Sequence, residues 1–146
     1  MHESEKKPLI LERIYDSPVS EVWQALTDVS KMKQWYFPML EDFKPEVGFT
    51  TEFTVPHPNG NQYVHRWTVT EAVPQKTIAY DWKYPDYEGM GNVRYDLEEA
   101  DGKTKLTLTF RILESFDPDK FPELSMKNFT EGWTYFVKAI EDYLKK

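Results

Sequence analysis

The chain has 146 residues, enough for one domain whose core needs neither a metal nor a disulfide. Charged residues make up 29% and hydrophobic ones 40%, a globular composition, and no apolar run approaches the roughly 18 residues of a membrane span. A formal charge of −7 with no Lys and Arg cluster argues against nucleic acid and anionic membranes as partners, and the lack of cysteine excludes disulfides and thiolate chemistry.

The N-terminus is charged and lacks an apolar segment of the secretory kind. It reads as frayed over residues 1–8 and as belonging to a cytoplasmic protein. Leu9–Tyr15 is β-branched and mixed, and reads as a first strand. Ser17 is placed to cap a helix with Pro18 at its first position, and Val19, Val22, Trp23 and Leu26 form an apolar stripe at helical spacing. A second short helix starts near Asp28 or Ser30 and carries Met32 and Trp35 inward.

From Phe43 onward the period changes to two. Phe49, Thr51, Phe53 and Val55 share one face; His57–Asn61 is a turn; Tyr63, His65, Trp67 and Val69 share the next face. In Thr77–Tyr84 the alternation is starkest, with Ile78, Tyr80, Trp82 and Tyr84 on one side and Ala79, Asp81 and Lys83 on the other. Val93, Tyr95 and Leu97 follow, then an Asp-Gly turn at Asp101–Lys103, then Leu106, Leu108, Phe110 and Ile112. Met126, Phe129, Trp133, Phe136, Val137, Ile140 and Leu144 close the chain as one long helical stripe.

The fold expected is α+β: a curved antiparallel sheet of about six or seven strands, two short helices after the first, and a long C-terminal helix packed on the concave face. No repeat, linker or low-complexity segment divides residues 1–146, so a single domain is expected. Aromatics form 16% of the chain, and many carry a polar tip that wants a partner when buried. A sheet curled around one helix encloses more space than the helix fills. The inward rings are therefore read as lining a cavity, with the deeper ones as core. The cavity candidates are Trp35, Phe53, Tyr63, His65, Trp67, Tyr80, Trp82, Tyr95, Phe110, Phe129, Trp133 and Phe136.

Several stretches carry a resemblance. Ser17–Asp28 has Pro, then Val-Trp, then Ala-Leu-Thr-Asp; Lys33–Pro38 has a Trp-Tyr-Phe-Pro ending; Pro45–Phe53 joins a glycine to aromatics. Trp67–Trp82 contains Val-x-Glu-x-x-Pro and ends in Tyr-x-Trp, and Glu131–Leu144 opens on Gly-Trp. Together they resemble the helix-grip, START-like (SRPBCC) superfamily, and within it the branch named after the C-terminal domain of the activator of the heat-shock-protein-90 ATPase. The resemblance implies a hydrophobic cavity for a small molecule or lipid, with a hydrophobic or amphipathic molecule as partner. Its alternative is a protein-interaction module of co-chaperone type, with a chaperone as partner. The superfamily also contains cyclases and hydroxylases, so an enzyme using a cavity His and Tyr is the third reading.

No catalytic motif supports that third reading. Nucleophilic catalysis needs a nucleophile beside a base, and of three histidines only His65 lies on an inward strand face. His2 is terminal and His57 sits in a turn. The chain is read as a binder rather than an enzyme, with no cofactor and no metal site, because no His or carboxylate spacing converges on one. Glu71 breaks the strand alternation, which a bulge or the strand end before Pro74 explains about as well as a functional role does. Gly132, inside the last helix, suggests a close approach to the sheet or ligand, or relief of a clash with Trp67 or Trp82.

Overall fold

The computed structural model describes residues 1–146. Strands β1 (Leu9–Tyr15), β2 (Thr50–Pro56), β3 (Gln62–Val73), β4 (Thr77–Lys83), β5 (Met90–Ala100) and β6 (Lys103–Glu114) form one antiparallel sheet in the order β1-β6-β5-β4-β3-β2. Helices α1 (Val19–Thr27) and α2 (Val29–Trp35) follow β1, and α3 (Met126–Leu144) closes the chain. Five of the strands run on through short connections from β2 to β6. Only β1 joins out of order, beside β6, which places the chain's first strand next to its last. The sheet curves around α3 as the alternation predicted. No helix is long and apolar enough to cross a membrane.

The concave face carries the core. Trp67, Tyr80, Tyr95, Leu106, Leu108 and Phe110 are all at most 1% exposed, and from α3 Phe129, Trp133, Val137 and Ile140 pack onto them. Two contacts fix the far half of α3 to the first strand. The Tyr15 hydroxyl donates to the Val137 carbonyl at 2.8 Å, and Arg13 holds Glu141 at 2.8 Å. The tyrosine tips inside the core satisfy one another: the Tyr36 and Tyr80 hydroxyls lie 2.8 Å apart, and Tyr95 donates to Tyr36 at 3.1 Å, while the Trp67 indole N–H has no partner. Burial pushes all three phenols above their ordinary pKa, so they remain protonated donors.

Three local expectations change. Pro18 is the N-cap of α1 rather than its first residue, and Ser17 makes no side-chain cap. The orphan Val19 N–H is instead met by the Glu99 carboxylate on β5 at 2.8 Å, so a tertiary contact replaces the local one. Residues 1–8, expected to fray, are pinned at Glu5, which is 1% exposed and accepts from Phe116 N–H at 2.9 Å and Ser115 Oγ at 2.7 Å. A buried carboxylate with such donors is a tether that composition does not reveal. Gly132 does not mark a close approach: a Cβ there would meet nothing within 4 Å. The β3 register shifts between Val69 and Glu71, the bulge that turns Glu71 out to pair with Arg94 at 3.0 Å.

Candidate functional site

Strand register brings the site's sheet side together. Phe53 lies opposite His65 and Val55 opposite Tyr63 across β2–β3, while Trp67 faces Trp82 across β3–β4. Because side chains alternate, these residues and Tyr84 project onto the concave face. Opposite them runs the first half of α3, where Asn128, Phe129, Gly132, Trp133 and Phe136 fall on one side of the helix. Phe37, just after α2, fills the gap between the two walls, within 5.2 Å of the Phe136 ring and 5.4 Å of the His65 ring.

Between these walls lies a cavity of about 260 Å³, lined by Phe37, His57, His65, Trp82, Tyr84, Glu123, Asn128, Phe129, Gly132, Trp133 and Phe136. A second space of about 130 Å³ shares His57, His65, Tyr84 and Glu123 with it and adds Val55, Tyr63 and Leu124. A larger groove of about 530 Å³ runs from Val19 to Glu99 past the β3–β4 turn. Its lining is mostly polar and charged side chains, and it lies away from the aromatic face.

The cavity therefore has an aromatic body and a polar end. In the body, Trp82 and Trp133 meet edge to face at 5.0 Å, and both indole N–H groups are buried without a hydrogen-bond partner. The Trp82 N–H lies beside the Tyr84 hydroxyl without reaching hydrogen-bond geometry. Burial pushes the Tyr84 phenol up, and the neighbouring indole only moderates that shift. At the polar end, His65 Nδ1 lies 3.0 Å from the Tyr63 carbonyl, and desolvation lowers the imidazole pKa to about 4. His65 is therefore neutral at pH 7. With desolvation outweighing every other influence on its basicity it is a hydrogen-bonding group, and it has no paired nucleophile of the kind covalent chemistry needs. The Tyr63 hydroxyl donates to Glu123 Oε2 at 3.1 Å. No group of three His or carboxylate side chains converges as a metal site.

The twelve sequence candidates divide into two sets. His65, Trp82, Phe129, Trp133 and Phe136 line the main cavity, and Tyr63 lines the adjoining space. Trp35, Phe53, Trp67, Tyr80, Tyr95 and Phe110 line neither space and are packed core. Trp35 shows why: its N–H is bound to the Ala25 carbonyl at 2.7 Å and its ring stacks on Tyr36 at 4.3 Å. The rings at the middle of β3, β4 and β5 lie beneath Tyr36 and α3, and only those toward the strand ends reach open space. Phe37, His57, Tyr84, Glu123, Asn128 and Gly132 were missed. Tyr84 continues the β4 alternation and Gly132 is a glycine inside a helix, so both left a signal. Phe37 and His57 lie in connections and Glu123 in a single 3-10 turn, where no periodicity exists to read.

A curved antiparallel sheet gripping one C-terminal helix, with an aromatic cavity between them, defines a helix-grip protein of the START-like class. The family model described as "Activator of Hsp90 ATPase homolog 1-like protein" matches residues 16–145, and the chain belongs to that family. Among curated proteins none matches. Solved structures of the same fold include protein MLL2253 from Mesorhizobium loti, 23% identical with a TM-score of 0.71, covering 95% of this chain and 97% of that one. Protein CV1439 from Chromobacterium violaceum is 15% identical with a TM-score of 0.78 over the same shares. The Aha1 dimer from Colwellia psychrerythraea is 19% identical with a TM-score of 0.72, covering 93% of this chain and 94% of that one. At these identities the likeness is one of fold.

Proposed function

We propose that the protein binds one small amphipathic molecule in the space between β3, β4 and the first half of α3. The observation that carries this reading is the cavity of about 260 Å³, walled by Phe37, Trp82, Phe129, Trp133 and Phe136 and ending in His65 and Glu123. Its size supports one ligand class over another. It falls just below the roughly 300–1,000 Å³ of drug-sized sites, which suits a molecule of one or two rings and is too small for a two-chain lipid. Apolar contact with the rings supplies affinity, and the few polar groups fix orientation.

The competing reading is protein interaction of the kind the family's description names. One feature favours it: Ile10 and Ile14 stand 55% and 62% exposed on β1, an edge strand. The two readings place function on different faces. Native mass spectrometry of gently purified protein, with and without Ile10→Thr and Ile14→Thr, separates them. Binding in the cavity predicts a co-purifying mass of a few hundred daltons at most, retained in the double variant. A bare chain that gives no adduct when a one- or two-ring amphiphile is supplied removes the reading.

A further inference from the structure

The polar end of the cavity carries unpartnered acceptors, apart from the unpartnered indole N–H groups of Trp82 and Trp133 in its aromatic body. A carbonyl only accepts, so the proton shared between His65 and the Tyr63 carbonyl sits on Nδ1, and His65 Nε2 is left as a bare lone pair. His65 is 5% exposed, so little water reaches it. Glu123 spends Oε2 on the Tyr63 hydroxyl, and its Oε1 is buried with no partner. His57 is arranged the other way: its Nδ1 accepts from the Asn59 N–H at 3.1 Å, which leaves its Nε2–H as the ring donor at this end. No lysine or arginine lines either of the two spaces. A carboxylate oxygen removed from water without a hydrogen bond is unfavourable, and a group that restores one regains that energy on binding.

We infer that the ligand carries a cationic hydrogen-bond donor, a protonated amine attached to an aromatic or alicyclic body. The inference rests on the cavity being the ligand site and names what the site selects. The body lies among Trp82, Trp133 and Phe37, and the ammonium donates to Glu123 and to His65 Nε2. Glu123 is half-buried on a single 3-10 turn, and a turn of its side chain that sets Oε1 on the head group is part of the proposed binding. The rings of Tyr63 and Tyr84 border the adjoining space with Glu123. A fatty acid or other anionic amphiphile would set its carboxylate against Glu123, with no lysine or arginine to receive it and only the His57 Nε2–H and the indole N–H groups of Trp82 and Trp133 as unpartnered ring donors.

Three probes that share one ring system test this: 2-(2-naphthyl)ethylamine, 2-(2-naphthyl)ethanol and 2-naphthylacetate. Each is titrated calorimetrically at pH 7 into the full chain and into Glu123→Gln. The amine is expected to bind about ten-fold more tightly than the alcohol, the size of one charge-assisted hydrogen bond, and the carboxylate most weakly. In Glu123→Gln the amine should fall to the level of the alcohol while the alcohol is unchanged. Equal binding of amine and alcohol, or preference for the carboxylate, overturns the amine assignment and leaves the cavity reading standing. Failure of all three to bind overturns both. The wild-type ranking decides the case by itself should the variant not fold.

Discussion

His65 shows how one residue's surroundings set what it does. Its ring stacks on Phe53 at 5.1 Å and meets Trp82 at 5.3 Å and Tyr84 at 4.8 Å, with one nitrogen held by a backbone carbonyl. Desolvation lowers its pKa from 6.5 to about 4. In the unfolded chain the same imidazole takes a proton near pH 6.5, so between these values the unfolded state binds more protons and stability falls as pH falls. The contribution is complete above pH 6.5 and is lost as pH drops through about 4, an order-of-magnitude loss of ~3 kcal/mol. His65→Phe keeps the ring and removes the titration. Denaturant melts at pH 7 and pH 4.5 should show a smaller pH loss in the variant than in the wild type; equal losses would place the titration elsewhere. The inward position of His65 was legible from alternation on β3. Its neutrality was not, because that depends on Phe53 from β2, Trp82 from β4 and Tyr84 just after β4, which only the assembled sheet brings to it.

At the scale of elements, two glycines behave oppositely for reasons the structure makes plain. A Cβ at Gly91 on β5 would lie 2.7 Å from Phe110 Cζ and 2.8 Å from Phe110 Cε1, in the packed core. Gly91→Ala should destabilise by ~1–3 kcal/mol, as overpacking does. At Gly132 nothing lies within 4 Å, so Gly132→Ala should stabilise α3 by ~1 kcal/mol from helix propensity alone. Paired thermal melts check both signs. The elements themselves were largely readable: period two located β2 to β6, and the apolar stripe located α3 from Met126 to Leu144. What could not be read were the contacts that replace local rules. Glu99 caps α1 from eighty residues away, and Glu5 pins the first turn to Phe116. Each joins positions that only the finished sheet makes neighbours.

For the whole molecule, the order β1-β6-β5-β4-β3-β2 sorts the aromatic excess into two uses. Trp67, Tyr80 and Tyr95 are sealed beneath α2 and α3; the two tyrosines share a hydroxyl network with Tyr36, and the Trp67 indole N–H has no partner. Toward one end of the sheet the same alternation continues past the helices' cover, and His65, Trp82 and Tyr84 face open space instead. Alternation could identify the inward face and could not divide it, because the division is set by where Phe37 and Gly132 stand. Gly132 is then the lever for the molecule's function. In a helix a side chain leans toward the preceding turn, here Asn128 and Phe129, and a Cβ at this position meets nothing within 4 Å, so a leucine here extends into the cavity. The central claim is that this cavity holds a ligand. The direct measurement is titration of 2-(2-naphthyl)ethanol into the wild type and Gly132→Leu, followed by tryptophan fluorescence, with a melt of each protein. The account predicts saturable binding to the wild type, at least ten-fold weaker binding to Gly132→Leu, and no loss of stability in the variant. Equal affinity in a stably folded Gly132→Leu would contradict it.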